Sequence, residues 1–449
     1  MGVHTAGTTV PGTSHATPAA SRGYARLVFA LSFGLLLIDY MSRQVLNAVF
    51  PLLKAEWLLD DAQLGSLSGI VALMVGVLTF PLSLLADRWG RVRSLVIAAT
   101  VWSLATLGCA VAASYGQMFL GRFLVGVGEA AYGSVGIAVV LSVFPVTLRA
   151  TLSGAFIAGG AFGSVLGVSI GGVVAQHLGW RWAFGVMGIA GLVMAAVYGV
   201  VVKEKKLGPG PGPGPGTGGS GGPSGERLPL RTLLPRLFSS VSVLCAYIGS
   251  GLQMFIAMAL LAWMPSFLSR YYAMPTAKAG VVAGAFALIT GAGMILSGYV
   301  TDRLSRRAGA RKWTVAIICS LGSLVLLTTG FHLTAGPPQL LLIGAGTLLS
   351  NATAGPAAAM VANLTPAAVA ATAMATLTLA NSLLGLAPGP AVTGMLADRM
   401  GLLGALRLVP FVAVLSGAAF VVGKLRYESD LRRLALLPAA TLMNPELST

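Results

Sequence analysis

The chain has 449 residues, of which 56% are hydrophobic and only 9% are charged. This composition excludes a water-soluble globular fold, because such a fold needs more polar residues to cover its surface. The formal net charge of +16 would also suit a protein that binds nucleic acid. The positions of the basic residues, described in a later paragraph, exclude that interpretation. We therefore predict an all-α polytopic membrane protein.

Apolar stretches long enough to cross a bilayer, which takes about 20 residues of helix, occur twelve times along the chain. The predicted membrane helices cover residues 26–50, 63–85, 94–113, 117–143, 150–175, 182–202, 238–267, 279–300, 313–333, 338–361, 367–396 and 403–423. A polar stretch separates the first six from the last six. This arrangement predicts twelve transmembrane helices in two pseudo-symmetric six-helix bundles.

The predicted domains follow from these stretches. We expect a disordered cytoplasmic N-terminal tail, a first bundle, a flexible cytoplasmic Gly/Pro-rich linker, a second bundle and a cytoplasmic C-terminal tail, at residues 1–24, 25–202, 203–236, 237–424 and 425–449. The linker contains a Gly/Pro/Ser run from Gly208 to Gly225, which has nothing to bury and too much chain entropy to order. The N-terminal tail lacks the apolar core of a signal peptide, so the first helix should be an uncleaved membrane anchor.

The basic residues predict the orientation of the chain. Placing both termini in the cytoplasm puts 21 of the 29 Lys and Arg residues in cytoplasmic segments, six in external segments and two, Arg43 and Arg122, within helices. Such an excess is the positive-inside signal of a membrane protein. We therefore predict an integral protein of the plasma membrane, the inner membrane of a cell that has two, with no nucleic-acid partner.

Two sequence motifs, each present once in either half of the chain, indicate an internal duplication. Ser83-x-x-x-Asp87-Arg88-x-x-Arg91 follows the second predicted helix, and Gly298-x-x-x-Asp302-Arg303-x-x-Arg306 follows the eighth. A weaker echo joins the ends of the fifth and eleventh helices, where residues 172–179 and 394–401 share Gly, then Ala three residues on, then Gly after seven. Repeats in corresponding places of two halves are typical of membrane transporters.

Four ionisable side chains lie within predicted helices: Asp39, Arg43, Arg122 and Glu129. Each costs at least ~2.5 kcal/mol at mid-bilayer, so each needs a partner or a water-filled cavity. Asp39 and Arg43 are four residues apart and can pair on one face of a helix. Arg122 and Glu129 lie ~10 Å apart along their helix, too far to bond each other.

Glu129 is the predicted proton-coupling residue, together with Asp39 and Arg43. Burial favours the neutral form of a carboxyl group and a nearby arginine favours the charged form, so movement of Arg43 relative to Glu129 can load and release a proton. The alternative is a static ion pair that holds the first and fourth helices together.

The predicted substrate-binding residues are Arg43, Arg122, Asn351 and Asn381. The two arginines can attract an anionic group, although Arg122 lies near the start of its helix and can instead brace the adjacent loop. The second bundle carries amides and hydroxyls but no charge within its helices, which suits the apolar or neutral part of a substrate.

Several classes of function lack their sequence signals. No GxxxxGK[ST] phosphate-binding loop occurs, so the sequence shows no ATP-binding site that could drive a pump. The four histidines lie in the N-terminal tail and external loops and form no catalytic or metal cluster. The three cysteines fall within apolar helices without metal-binding or redox spacing, and we interpret them as packing residues. We therefore predict no enzyme activity, no cofactor and no metal.

The motifs resemble those of the major facilitator superfamily of secondary transporters, over about residues 25–424. Asp87-Arg88-x-Gly90-Arg91 matches the loop motif between helices 2 and 3 of that superfamily, and residues 122–129 resemble its helix 4 motif. Gly163-x-x-x-Gly167-Val168-x-x-Gly171-Gly172 resembles its antiporter motif in helix 5, except that Val168 replaces a proline. The resemblance implies that the loop motifs latch and gate the cytoplasmic side through Asp87, Arg88, Gly90, Arg91, Asp302, Arg303 and Arg306.

Within that superfamily, three stretches are similar to spinster-like transporters: Tyr40-Met41-Ser42-Arg43, Gly126 to Tyr132, and Gly394 to Asp398. Members of that branch are linked to lysolipids and sphingoid phosphates. They usually carry Asp directly before the helix 1 arginine, where this chain has Ser42. Asp39, one helical turn before Arg43, is the residue that can replace it.

These observations predict a monomeric secondary active transporter that moves a small or amphipathic organic solute by alternating access. The expected partners are a small-molecule or lipid-like substrate, protons and membrane lipids. One alternative is an organic-anion importer that uses Arg43 and Arg122 as carboxylate partners. Another is a membrane sensor that keeps the fold without transport.

Overall fold

The computed structural model of the chain describes residues 22–130, 132–145, 148–204, 207, 240–305, 309–365 and 370–435. Most of the predicted tails and of the predicted linker therefore lie outside the described residues. The helices of the first half are α1 Arg22–Trp57, α2 Asp61–Trp89, α3 Arg91–Ala110, α4 Tyr115–Ala130, α5 Tyr132–Val143, α6 Arg149–Leu178 and α7 Trp180–Val201. Helices α4 and α5 belong to one apolar span, Tyr115–Val143.

The second half repeats this arrangement with more breaks. Its helices are α8 Val241–Tyr271, α9 Thr276–Ser305, α10 Arg311–His332, α11 Pro337–Asn351, α12 Ala354–Leu364, α13 Ala370–Asn381, α14 Pro388–Leu408 and α15 Val412–Ala435, with a π-helical turn at Ser382–Leu386 and a 3₁₀ turn at Val409–Phe411. Helices α11 and α12 share the apolar span Pro337–Leu364.

The described residues confirm the all-α fold and the predicted number of membrane helices. They contain eleven apolar helical stretches long enough to cross a membrane by length and composition, and the last, Thr372–Arg433, has 62 residues. Gly401 breaks this stretch with φ of 76° inside α14. The stretch is therefore two crossings joined at one glycine, which makes twelve crossings in two sets of six.

The helices extend beyond the apolar stretches that predicted them. Helix α1 begins at Arg22 and α15 continues to Ala435, whereas the corresponding predicted segments are 26–50 and 403–423. Hydropathy detects only the part of a helix that lies in hydrocarbon. Polar residues at either end can continue the same helix without an apolar signal.

We call one end of the bundle the linker end, because it holds Glu204 and Ser240, which lie on either side of the Gly/Pro/Ser run from Gly208 to Gly225. We call the other the Asp61 end, which holds the turn between α1 and α2. Among the described residues, three turns consist of a single glycine with positive φ, at Gly90, Gly179 and Gly401. Gly179 and Gly401 both lie at the Asp61 end and close the two copies of the weaker sequence echo, so they are equivalent turns of the two halves.

Glycines in α6 bring this helix into close contact with α1. A Cβ atom at Gly163 would lie 2.8 Å from the carbonyl oxygen of Leu37, and one at Gly167 would lie 2.6 Å from the Cα and the carbonyl oxygen of Met41. Small residues at such positions are a usual means of helix association in membranes.

Among the described residues, two pairs of helices make the most extensive contacts between the halves. Helix α6 of the first half packs against α9 of the second, where Gly172 faces the backbone of Thr276. Helix α14 of the second half packs against α2 of the first, where Gly394 faces the carbonyl group of Asp61. The two contacts use equivalent glycines of the sequence echo, so the pseudo-symmetry extends to the interface between the halves.

Candidate functional site

The predicted charge cluster forms between α1 and α4. Arg43 Nη2 donates a hydrogen bond to Glu129 Oε2 at 2.5 Å. The side chain of Arg43 is 23% exposed, whereas that of Glu129 has no exposed surface. The guanidinium of Arg43 therefore stands between the glutamate and the accessible space of the protein.

Asp39 lies on α1 one helical turn before Arg43 and is 3% exposed. Its carboxyl group lies close to the charged groups of both Glu129 and Arg43. Within the described part of the chain, however, Asp39 Oδ1 and Glu129 Oε1 are buried without a donor. Sequence spacing allowed Asp39 to pair with Arg43, but the ion pair of Arg43 goes to Glu129, because tertiary packing brings α4 to the guanidinium.

Asp39, Glu129, Arg43 and Arg122 carry no net charge as a set, but Arg122 directs its donors to backbone carbonyl oxygens. The two carboxyl groups thus share the guanidinium of Arg43, and an acid that is not paired with it is costly in its charged form inside a membrane protein. A proton on either carboxyl group would supply the donor that Asp39 Oδ1 and Glu129 Oε1 lack. The arrangement can therefore hold one exchangeable proton beside Arg43.

Tyr40 completes the surroundings of the arginine. The guanidinium carbon of Arg43 lies 5.3 Å from the centroid of the Tyr40 ring, within the range of a cation–π contact. The same ring packs against Gly160 of α6. Helices α1, α4 and α6 thus all contribute to the position of Arg43.

Arg122 has different surroundings, although it lies on the same helix as Glu129. Its side chain is fully buried and donates hydrogen bonds to the carbonyl oxygens of Leu67 at 3.4 Å, Ser42 at 3.3 Å and Arg43 at 3.2 Å. Three backbone acceptors from α1 and α2 use its donors in this conformation. This geometry favours the bracing role that the sequence left open beside substrate binding.

The two predicted asparagines lie in the second half. Asn351 is buried at the end of α11, and its Nδ2 donates to the carbonyl oxygen of Thr290 at 3.0 Å. Asn381 ends α13, directly before the π-helical turn. The Oδ1 atoms of both are buried without a donor, and in the described residues neither amide hydrogen-bonds to Arg43.

The predicted gating loops are described only in part. The side chains of Asp87 and Asp302, and the whole of Arg306, lie outside the described residues. Arg88 is exposed, and Arg303 donates to the hydroxyl of Tyr299 at 3.0 Å.

Gly90 forms the turn of the first loop copy, with φ of 92°, and a side chain at this angle would be strained. Directly after it, the backbone N–H groups of Arg91 and Val92 donate to the carboxylate of Glu204, at 3.2 Å and 2.7 Å. Glu204 thus caps the start of α3 from the end of the first half, a contact that sequence reasoning missed.

A second charged cluster, at the Asp61 end, was also missed. Arg270 at the end of α8 donates to both carboxylate oxygens of Asp61, each at 2.7 Å, and Lys54 Nζ donates to Asp61 Oδ1 at 2.6 Å. In the sequence these residues are ordinary helix-end charges, 209 positions apart in the case of Asp61 and Arg270. Only the packing of the halves brings them together.

Two further contacts join the halves at this end. Asp398 accepts hydrogen bonds from the backbone N–H groups of Asp61 and Ala62, at 2.7 Å and 2.9 Å. Gln176 Oε1 accepts one from the N–H of Ala277 at 2.8 Å. Between described residues, the hydrogen bonds and ion pairs that cross from one half to the other all lie at the Asp61 end.

Two six-helix halves that pack together through α6 against α9 and α2 against α14, with a group of charges buried between α1 and α4, are typical of an α-helical membrane transporter rather than of an enzyme. The model of the Major Facilitator Superfamily matches residues 32–390. The chain therefore belongs to the Major Facilitator Superfamily.

Relatives within that superfamily include spinster proteins, as the sequence motifs predicted. The chain is 26% identical over 440 residues to the sphingosine-1-phosphate transporter SPNS2 of Danio rerio, covering 89% of this chain and 84% of that protein. It is 26% identical over 276 residues to a probable L-galactonate transporter of Escherichia coli, covering 61% of each chain. The chain thus matches about three fifths of the length of that bacterial relative.

A solved structure has the same fold. It is that of a bacterial homologue of the human lysosomal transporter spinster, in an inward-facing and unoccupied conformation. The TM-score is 0.79, with 19% sequence identity over 91% of this chain and 99% of that chain. The similarity confirms the twelve-helix, two-bundle architecture.

Proposed function

We propose that this protein is a proton-coupled secondary transporter that moves an organic anion, small or amphipathic, by alternating access. The observation that carries the proposal is the arrangement of Arg43, Glu129 and Asp39. The arginine is partly exposed and forms its ion pair with one of two buried carboxyl groups, so two acids share the guanidinium of one arginine. This arrangement links the binding of an anion to the binding of a proton.

The coupling follows from competition for one guanidinium. An anionic substrate that reaches Arg43 can form the charge-assisted hydrogen bonds that Glu129 forms in its absence. Glu129 then loses its counter-charge within the membrane and binds a proton instead. Anion and proton therefore favour each other's binding, and they leave together when the site opens to the other side.

The second half would bind the remainder of the substrate. The buried Oδ1 atoms of Asn351 and Asn381 can each accept a hydrogen bond from a hydroxyl or ammonium group. Apolar surroundings in the same half suit a hydrocarbon portion. The names of the relatives agree with an anionic cargo, because galactonate and sphingosine 1-phosphate both carry an acidic group.

The proposed orientation places the linker end in the cytoplasm, with both termini on that side, in the plasma membrane. The excess of basic residues in the segments at that end supports it. The Asp61 end, where the halves are joined, would then be external. We further propose that the loop motifs at Asp87–Arg91 and Asp302–Arg306 control the linker end, and the cap of Glu204 on α3 supports an ordered first loop.

The test is uptake driven by a pH gradient into liposomes that contain the purified full chain. Radiolabelled hexuronate, a sugar acid, and sphingosine 1-phosphate are offered separately to the wild type, Glu129→Gln and Asp39→Asn. We expect uptake of at least one of them by the wild type. Glu129→Gln should lose the response to the gradient while retaining exchange of labelled for unlabelled substrate, because the amide cannot release a proton.

The matched control is Glu56→Gln, the same chemical change at a carboxylate that bonds Trp180 and Arg181 within the first half. This variant should keep the gradient response. If Glu129→Gln responds to the gradient as the wild type does, the Arg43–Glu129 pair is structural and the coupling proposal is wrong. Binding of either compound without transport, by the wild type, would instead support the membrane-sensor alternative.

A further inference from the structure

Gln176 and Asp398 occupy the same position in the two copies of the sequence echo. Each is the fourth residue after the glycine that faces the other half, Gly172 or Gly394, and the third before the turn glycine, Gly179 or Gly401. Each accepts a hydrogen bond from the backbone at the start of a helix that belongs to the other half. The duplicated chain therefore uses one structural position twice to join its halves.

The physical basis of both contacts is helix capping. The first N–H groups of a helix have no acceptor within it, and a side-chain oxygen can satisfy them. Asp398 accepts from two such groups at the start of α2, and Gln176 accepts from one at the start of α9. The carboxylate also interacts favourably with the positive end of the helix dipole, which the neutral amide does not.

The stronger cap acts on the residue that forms the ion pair between the halves. Asp398 binds the backbone N–H of Asp61, whose own carboxylate takes both hydrogen bonds from Arg270. Gly394 allows the close approach, because a Cβ there would collide with the carbonyl group of Asp61. Asp398 thus fixes the backbone of Asp61 while Arg270 holds its side chain.

We infer that Asp398 is a positioning residue that aligns Asp61 with Arg270, and that Gln176 is its weaker counterpart. Together they form a two-point latch that sets the balance between the closed and open states of the Asp61 end. Each contact joins atoms of different halves, so all of them must break when that end opens. Asp398 and Gln176 are both exposed, so water can replace each contact as it breaks.

The inference rests on the proposed alternating access for its role in transport, but its test needs no substrate. Spin labels are placed at Val111→Cys, in the turn after α3, and Thr334→Cys, in the turn after α10, which are exposed positions on opposite halves at the Asp61 end. The background replaces Cys109, Cys245 and Cys319 with alanine. Pulsed electron resonance on the full chain in liposomes then gives the distribution of distances across this end.

We expect a main population at a short distance in the wild type and a minor population at a longer distance, which is the open state. Asp398→Ala should increase the ratio of open to closed molecules about fivefold to tenfold, the usual effect of losing a helix cap. Asp398→Asn, which keeps one acceptor, should give a smaller increase. Gln176→Ala should shift the ratio less than Asp398→Ala, and Gln176→Glu, which introduces the stronger cap, should shift it toward the closed state.

Glu56→Gln is the control, because it removes a carboxylate at the same end whose contacts stay within the first half. Its distance distribution should equal that of the wild type. If Asp398→Ala and Asp398→Asn both keep the wild-type distribution, the latch does not exist. If Asp398→Ala does not fold, the other two variants test the latch. The latch requires that Asp398→Asn raise the ratio of open to closed molecules and that Gln176→Glu lower it. Failure of the transport experiment would leave these distances unaffected.

Discussion

The two arginines within the membrane helices of the first half differ in their surroundings, and this difference separates their roles. Arg43 is partly exposed and pairs with a single carboxylate. Arg122 is fully buried and donates to three backbone carbonyl groups. A guanidinium suits both roles, because its five donors can serve a carboxylate or several acceptors at once.

For Arg122 we predict a loss of stability without a change in proton coupling. Arg122→Met should lower the free energy of unfolding by about 2 to 3 kcal/mol, because buried carbonyl oxygens lose their donors. Thermal unfolding in detergent measures this loss. The control is Arg93→Met, at an exposed arginine of α3, which should change the free energy of unfolding by less than about 0.5 kcal/mol. Weaker substrate binding with unchanged stability would instead assign Arg122 to the substrate site.

Sequence alone predicted which residues carry charge into the membrane, but not all their partners. The cost of burying a charge identifies Asp39, Arg43, Arg122 and Glu129 without a structure. The sequence suggested two partners for Arg43, namely Asp39 on the same helix and Glu129 on the fourth helix. Glu129 is 86 positions from Arg43, and the packing of α1 against α4 decides that the ion pair goes to Glu129.

At the scale of single elements, helix α6 shows what its glycines do. Those that face α1 lie at spacings of four residues and allow the two backbones to touch. Gly154 lies on the same helix, and a Cβ atom there would meet nothing within 4 Å. The two positions provide a matched pair of substitutions.

Gly167→Ala should destabilise the protein by about 1 to 3 kcal/mol, because the added methyl group collides with the backbone of Met41 and overpacks the interface. Gly154→Ala should be neutral or slightly stabilising, since alanine favours a helix over glycine. The measurement is the melting temperature of each variant in the same detergent. Equal melting temperatures would show that α1 and α6 do not pack through Gly167.

The eleventh crossing is interrupted at its proline-containing stretch, Pro388 to Pro390. Pro388 cannot donate a backbone hydrogen bond, so a break before it is required. The structure places a π-helical turn at Ser382–Leu386, directly before that proline. Ser382 of this turn packs against Gly76 of α2, so the irregular backbone lies at the contact between the halves.

At the scale of the whole molecule, the charged contacts concentrate at one end. The Asp61 end carries the cross-links between the halves, among the residues that the structure describes, while the linker end carries caps within each half. Glu204 caps α3, and Asp430 accepts from the N–H of Ser242 at the start of α8 at 2.9 Å. The described conformation is therefore joined at the Asp61 end.

The proposed orientation makes a direct prediction about access from outside the cell. In the cysteine-free background, Val111→Cys at the Asp61 end should react with a membrane-impermeant maleimide added to intact cells. Arg432→Cys, an exposed position at the linker end, should react only after the membrane is permeabilised. The reverse pattern would place the linker end outside and contradict the orientation inferred from the basic residues.

Sequence by itself determined the membrane location, the twelve crossings, the duplication and the identity of the buried charges. These depend on properties of single residues and of local stretches, namely transfer into hydrocarbon, helix length and repeated spacing. Tertiary structure decided the partners: Arg43 with Glu129, Asp61 with Arg270, and Asp398 with the start of α2. Such pairs join helices far apart in the chain, and their geometry depends on the packing of whole helices, which no local pattern contains.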